Sequence, residues 1–270
     1  EEMVMSRDNT KKNKKSGRAA NTVILIIAIV VMAFALYKLI PILIDYKQAD
    51  DNYAELVQDY VDTGDITGDV EEGYDWAGVQ IDFDSLKAIN PDVVGWIRFD
   101  DTDAVNVDYP ILHADDNDTY LHKDLLGEEH SAGSIFLEAA NSPDFSDYYN
   151  IIYGHNMKNG SMFGTLKKYN RDENFYDANQ YFTIYTEQGA YRYQIFSYEN
   201  VADDSEIYTV GYAPDEQYQA LIDTMVSGSM KDTGITPTNE DRIVTLSTCS
   251  SSDTIRFVVH GVCIDQKLYE

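Results

Sequence analysis

The chain has 270 residues, 12% of them aromatic, and a formal net charge of −27 at pH 7. This length allows one domain of about 200 residues with its own core plus a shorter tail, and the aromatic content excludes a disordered acidic chain. Nucleic-acid binding depends on cationic contacts to phosphate, so the acidic balance also argues against a nucleic-acid partner.

The first feature along the chain is a basic stretch, residues 1–20, followed by an apolar run that continues to Ile44 with one interruption at Lys38. About 20 apolar residues cross the hydrocarbon of a bilayer, and flanking basic residues stay on the cytoplasmic side. The pattern predicts a cytoplasmic basic tail over 1–20 and a single-pass transmembrane signal anchor over 21–44. The rest of the chain would then lie outside the cell membrane.

The alternative to an anchor is a cleaved signal peptide. Ala33 and Ala35 have the small-residue spacing that signal peptidase prefers. We favour the uncleaved anchor because the apolar run continues well past that site.

Residues 45–89 are predicted to form an N-terminal helical extension and linker. Apolar residues recur at helical spacing within 53–61, which is typical of an amphipathic helix that packs on another surface. The Gly- and acid-rich residues 63–78 predict a loop. A short helix from Asp84 to Ile89, capped by its first or second residue, is expected next.

From residue 90 to residue 270 the sequence predicts a mostly β domain. Short runs of β-branched and aromatic residues alternate with turn residues, and about eight such strands are typical of a closed barrel or a sandwich. Apolar residues on one helical face predict a helix over 215–226, between the sixth and seventh strands. The predicted strands are Gly95–Phe99, Val105–Leu112, Gly133–Leu137, Asn150–Tyr153, Tyr181–Thr186, Tyr191–Val201, Arg242–Thr248 and Ile255–Ile264.

A thiol at the end of the seventh strand predicts a nucleophile. Cys249 follows the strand, and a short Ser/Asp turn leads into the eighth strand, so the two strands are expected to be antiparallel neighbours. Arg256 would then lie across from or diagonal to Cys249. An unperturbed thiol is only about 3% thiolate at pH 7, and a neighbouring cation can raise that fraction. An Arg side chain can also stabilise an oxyanion.

His155 is the best candidate for the proton carrier that such a nucleophile needs. It follows an apolar run that Gly154 interrupts, which is typical of a strand leading into a functional loop. His155, Cys249 and Arg256 would supply a general acid/base, a nucleophile and an oxyanion donor. Taken singly, a Cys at a strand end or a His after Gly is more often structural.

The remaining His and Cys residues predict no cofactor. No two histidines have the spacing of metal ligands, so neither a metal site nor a cofactor is expected. Cys263 alternates with apolar residues on the face opposite Arg256 and is predicted to be a small buried core residue. A disulfide between Cys249 and Cys263 is the alternative, and it would remove the nucleophile.

In their order along the chain, these motifs resemble those of the sortases, and among them class B. The resemblance implies an eight-stranded sortase-type β-barrel with N-terminal helices packed against it, a helix between strands 6 and 7, and one preceding transmembrane helix. The catalytic barrel would span 90–270. The matching blocks are Asn90–Ile97, Asp108–Leu112, Tyr153–Met157, Gly160–Phe163, Thr245–Cys249 and Arg256–Val259.

The resemblance also implies a cysteine transpeptidase. The Cys249 thiolate would attack an amide in a short C-terminal sorting motif of an exported protein and form a thioester, while His155 protonates the leaving amine. An amine acceptor would then resolve the thioester. This acceptor would be a peptidoglycan precursor or a pilin lysine, with water as a further alternative.

Further site residues carry over from the family motifs. Arg256 would hold the oxyanion or the carbonyl groups of the motif, helped by the Thr248 hydroxyl or a nearby backbone N–H. The substrate contacts of the family correspond to Asn117, Tyr153 and Ser247 in this chain.

Two other functions fit part of the pattern. A papain-like thiol protease is disfavoured, because there the Cys precedes the His along the chain and here His155 comes first. The second alternative is a membrane-tethered surface binding protein, or an inactive sortase relative that binds sorting signals without cleaving them.

Overall fold

The computed structural model describes residues 21–40, 55, 57–63, 74–249 and 254–269, with Cys249 described by its backbone alone. The chain divides into two compact units, residues 1–48 and 49–270, which are treated separately. In the first unit, α1 (Asn21–Ile40) is a helix of 20 residues that is long and apolar enough to cross a membrane. A signal sequence would have the same length and composition. The rest of the predicted span and the basic tail lie outside the described residues.

The second unit is mostly β structure with short helices. Its strands are β1 (Val61–Asp62), β2 (Gln80–Ile81), β3 (Val93–Phe99), β4 (Asp108–Leu112), β5 (Ile135–Leu137), β6 (Tyr149–Gly154), β7 (Tyr181–Thr186), β8 (Gly189–Ala202), β9 (Ile243–Cys249) and β10 (Ile255–Leu268). Its helices are α2 (Phe83–Ile89), α3 (Thr119–His122), α4 (Lys168–Arg171), α5 (Phe175–Ala178) and α6 (Glu216–Gly228), with 3₁₀ turns at Gly164–Lys167 and Glu206–Tyr208.

The last eight strands close into a barrel, in the order β10-β8-β7-β3-β4-β5-β6-β9. The pairing of β9 with β10 joins the two ends of this order and closes the barrel. Most neighbours are antiparallel, but β4 pairs with β5 and β6 pairs with β9 in the parallel sense. The predicted eight-stranded barrel is therefore confirmed, including the helix between its sixth and seventh strands.

Helix α6 covers one outer side of the barrel. Its first turn is capped by Asp215, whose side chain accepts hydrogen bonds from the backbone N–H groups of Gln217 and Tyr218. The apolar face predicted from the spacing of its residues is buried against Tyr149, Ile243 and other residues of the neighbouring strands. Burial of each such side chain stabilises the fold by roughly 1.5–3 kcal/mol.

The N-terminal part of this unit packs in a second cluster, around Trp96 and Leu86. Residues 57–60 are helical, but Val61 already belongs to β1, so the predicted helix over 53–61 ends earlier than expected. Helix α2 starts at the buried Phe83, and its cap is Asp82, which accepts from the Ser85 N–H. The predicted caps, Asp84 and Ser85, are therefore wrong.

Two further predictions need correction. The strand predicted from Val105 begins only at Asp108, because Asp101 accepts hydrogen bonds from two backbone N–H groups and holds the preceding residues in a turn. Cys263 is not a buried core residue. It is half-buried, carries a free thiol, and lies at a register shift in β10 beyond the last residue paired with β9.

Candidate active site

Two parallel strands that end at the same edge of the barrel define the site. In the register of β6 and β9, Tyr153 is paired with Ser247 and Gly154 with Thr248. His155 follows β6 directly and Cys249 is the last residue of β9. Since neighbouring strands lie about 5 Å apart, the backbones of His155 and Cys249 are adjacent.

Arg256 extends this row on the other side of Cys249. Strand β10 runs antiparallel to β9, and its register pairs Arg256 directly with Cys249. The position that the short turn predicts for Arg256 is thus observed. His155, Cys249 and Arg256 occupy three consecutive positions across one edge of the sheet, although they are far apart in the sequence.

The His155 ring is oriented by the main chain. Its Nε2 lies 2.8 Å from the carbonyl oxygen of Leu121. A carbonyl oxygen can only accept, so Nε2 carries a proton and Nδ1 is the basic nitrogen of the neutral ring. The His155 carbonyl in turn accepts from the Phe163 N–H at 2.9 Å, which closes the loop behind it.

Gly133 allows the Leu121 carbonyl to take this position. Its φ is +54°, and a Cβ there would lie 2.5 Å from the Leu121 carbonyl oxygen.

We expect Gly133→Ala to lower the free energy of unfolding by about 2–3 kcal/mol, measured by urea denaturation. Gly127→Ala is the control, because Gly127 also has a positive φ but nothing within 4 Å. Equal losses in the two variants would contradict a close fit at Gly133.

A groove of about 480 Å³ opens beside this row. Asn117, Tyr153, Ser247 and Arg256 all line it, so the structure brings the predicted substrate contacts together with the predicted oxyanion donor. Thr248 is fully buried and is not part of the lining. The difference follows from strand geometry, because successive side chains of a strand point to opposite faces.

Two of the lining residues that the sequence did not indicate are hydrogen-bonded to predicted site residues. Glu138 is only 9% exposed and accepts hydrogen bonds from the Asn117 amide and the Tyr153 hydroxyl, each at 2.8 Å. Tyr208 lies between β8 and α6, and its hydroxyl is 2.9 Å from the Ser247 hydroxyl. A charged residue directly after the apolar strand β5 is a signal that could have indicated Glu138. No local pattern singles out Tyr208.

Among the described residues that line the groove, one is a cation and two are carboxylates. Arg256 and the acids Glu138 and Asp203 share its walls. Burial raises the pKa of Tyr153, and the neighbouring Glu138 carboxylate raises it further, so the phenol stays protonated and donates. Within the described parts of the chain, no group of three or more His, Cys, Asp or Glu is arranged to hold a metal ion.

Comparisons with known proteins agree with this geometry. Residues 101–264 match the sortase domain family. Sortase B of Listeria monocytogenes is 35% identical over 179 residues, covering 65% of this chain and 71% of that protein. Sortase B of Staphylococcus aureus is 31% identical over 242 residues, covering 88% and 94%. A crystal structure of sortase B from Bacillus anthracis aligns with a TM-score of 0.69 at 32% identity, covering 83% of this chain and 99% of that one.

The chain therefore belongs to the sortase family. Its relatives in sequence and in structure are sortase B proteins, which confirms the class B resemblance. It is a sortase transpeptidase, of a family that acts at the cell surface on proteins bearing a sorting motif and anchors them to the cell wall. The surface binding protein and the inactive relative are not favoured.

Proposed function

We propose that this sortase is a membrane-anchored cysteine transpeptidase in which Cys249 is the nucleophile, His155 the general acid/base and Arg256 the oxyanion donor. The observation that supports this assignment is the shared register of β6, β9 and β10, which sets the three residues in one row beside the groove. Its substrates are exported proteins with a short C-terminal sorting motif.

The reaction proceeds in two steps. The Cys249 thiolate attacks the carbonyl carbon of the scissile amide, a C–S bond forms, and the C–N bond breaks as His155 gives its proton to the leaving amine. Arg256 stabilises the oxyanion in the intermediate. An amine acceptor then attacks the thioester, His155 removes its proton, and the thiolate leaves. The acceptor is an amine of the peptidoglycan precursor or of a pilin lysine.

Asn117, Tyr153 and Ser247 bind the sorting motif, because their side chains line the groove that leads to the row. The sequence offered two helpers for Arg256, the Thr248 hydroxyl and a backbone N–H at the strand end. Since Thr248 is fully buried, we retain the backbone N–H as the second donor. Such a donor belongs to the main chain and needs no particular side chain.

The arrangement in the cell follows from the first unit. The apolar residues 21–44, which include α1, act as an uncleaved anchor, and the basic residues 1–20 keep the N-terminus in the cytoplasm. Residues 45–89 connect the anchor to the catalytic barrel, residues 90–270, which lies outside the membrane.

Arg256→Ala is expected to lower kcat/KM for peptide cleavage at least about a hundredfold, because one oxyanion donor is lost. Arg256→Lys keeps the charge but loses the planar pair of donors. Its kcat/KM should lie between the values of the wild type and of Arg256→Ala. Arg171→Ala, which removes an exposed cation on α4, is the control and should leave turnover unchanged. Near-normal turnover by Arg256→Ala would show that the oxyanion role is misassigned.

The proposal as a whole is tested by incubating the purified chain with a library of sorting-motif peptides and searching for the thioester by mass spectrometry. We expect an acyl adduct on Cys249, and its transfer to an added amine such as a glycine peptide. The absence of any adduct across the library would instead favour a binding protein.

A further inference from the structure

Glu138 occupies an unusual place for a carboxylate, in the wall of the substrate groove and only 9% exposed. It follows β5 directly, and its N–H continues the ladder with β6 by donating to the Ile151 carbonyl at 2.8 Å. The backbone on which Glu138 is mounted is therefore part of the barrel. Its side chain is held in place, since a buried carboxylate is costly unless its oxygens accept hydrogen bonds.

The donors around this carboxylate come from three different segments. Asn117 Nδ2 lies 2.8 Å from both carboxylate oxygens, Tyr153 donates its hydroxyl to Oε2 at 2.8 Å, and the Ala140 N–H reaches Oε1 at 3.2 Å. Each of these donors is neutral. Glu138 thus acts as an anionic acceptor that ties the loop after β4 to β6.

The orientation of the Asn117 amide is set by this arrangement. Its Oδ1 accepts from the Ala139 N–H at 2.8 Å while its Nδ2 faces Glu138. Flipping the amide would place its oxygen against the carboxylate and its nitrogen against an N–H donor. Although Asn117 is exposed, Glu138 therefore fixes the orientation of the Asn117 amide in the wall of the groove.

Tyr153 extends the same network toward the nucleophile. Its ring stacks on Tyr208, with centroids 6.3 Å apart and planes at 15°, and the Tyr208 hydroxyl is 2.9 Å from that of Ser247. Ser247 lies two residues before Cys249 on the same strand. A continuous set of contacts thus runs from Asn117 through Glu138 to the strand that carries the thiol.

We propose that Glu138 is a positioning residue for substrate binding, whose carboxylate holds Asn117 and Tyr153 in the orientation that the sorting motif meets. It does not touch the reacting atoms. This inference rests on the proposed function, since it assigns a role within the same groove.

The test is the effect of Glu138→Gln on the steady-state cleavage of a sorting-motif peptide. Gln keeps the shape of Glu but places a donor where Asn117 or Tyr153 needs an acceptor. We expect KM to rise about tenfold while kcat stays within about twofold, as for the loss of one hydrogen bond to a charged group that acts in binding. An unchanged KM would overturn the inference.

A double-mutant cycle tests whether Glu138 and Tyr153 affect KM together or independently. Tyr153→Phe removes only the hydroxyl that donates to Glu138. If the two residues act as one unit, Tyr153→Phe raises KM several-fold in the wild type but has little further effect in Glu138→Gln. Effects on KM that multiply fully would contradict the proposed unit.

Asp147→Asn is the matched structural control. Asp147 also accepts from an Asn side chain, Asn141, at 3.2 Å and from a backbone N–H, that of Ser142, at 2.6 Å, but it precedes β6 and lies at the other end of that strand from His155. It should lower the midpoint of thermal unfolding without changing KM. An equal rise of KM in Asp147→Asn would overturn the role of Glu138. A wild type that cleaves no peptide would count against the proposed function instead.

Discussion

Cys249→Ala is expected to abolish peptide cleavage, with a loss of about 10⁴-fold or more, and to remove the acyl adduct. The reason is chemical, because the thioester needs the sulfur atom and the methyl side chain of Ala cannot form that bond. Cleavage rates and intact-protein mass spectrometry measure the two effects. Cleavage at a rate near that of the wild type, or an acyl adduct on another residue, would mean that the nucleophile lies elsewhere.

Cys263→Ala is the control for this variant. Cys263 is half-buried in β10, and burial raises the pKa of its thiol, so the sulfur stays protonated at neutral pH and is a poor nucleophile. Cys263→Ala should therefore keep full activity, and a thiol-alkylating reagent at pH 7 should label the wild type mainly at Cys249. Loss of activity in Cys263→Ala would contradict this division of roles.

His155→Ala is expected to lower kcat/KM at least about a thousandfold, because both the thiolate and the leaving amine depend on its proton transfer. The ring also anchors its loop through Leu121, so the Ala variant alone does not separate the two roles. His155→Gln can still donate to the Leu121 carbonyl but cannot carry a proton at neutral pH. It should be about as inactive as His155→Ala.

Circular dichroism and thermal unfolding would show that the His155 variants remain folded. His122→Ala is the matched control, since this His lies on α3 with a side chain that is 58% exposed. It should retain normal turnover. Substantial activity in His155→Gln would show that the ring anchors the loop and does not transfer protons.

The row of site residues was only partly predictable from local sequence. The connection between Cys249 and Ile255 is short in the sequence and favours antiparallel pairing of β9 with β10, so the place of Arg256 could be derived from its length alone. The parallel pairing of β6 with β9 joins segments that are distant along the chain, and no pattern within either strand predicts it. The prediction that His155 and Cys249 belong to one site depended on the resemblance to a family.

The bounds of the strands were likewise only partly predictable from local sequence. Strand β7 is predicted to the residue, because aromatic and β-branched residues fill all of its positions and polar turn residues flank it. Val105 and Val107 look like strand residues and are buried, but the carboxylate of Asp101 takes the preceding backbone into a turn. Cys263 fits the alternation of β10, yet a register shift and the start of β9 at Ile243 leave it half-buried. Periodicity of residue types does not predict either a side chain that bonds to the backbone, as Asp101 does, or a register shift, as at Cys263.

The same limit applies to Glu138 and Tyr208. Their roles depend on partners in other segments, Asn117 and Tyr153 for the first and Ser247 for the second. Residue type and spacing do not indicate such contacts until the barrel is closed.

The parallel contact between β6 and β9 has a consequence for the life of the enzyme. Antiparallel neighbours joined by a short connection need little loop closure, whereas this contact joins segments that β7, β8 and α6 separate along the chain, so we expect it to form late. On the proposed assignment, a chain in which β6 and β9 are not yet paired has Cys249 without His155 beside it. If that assignment holds, acyl transfer requires the completed barrel.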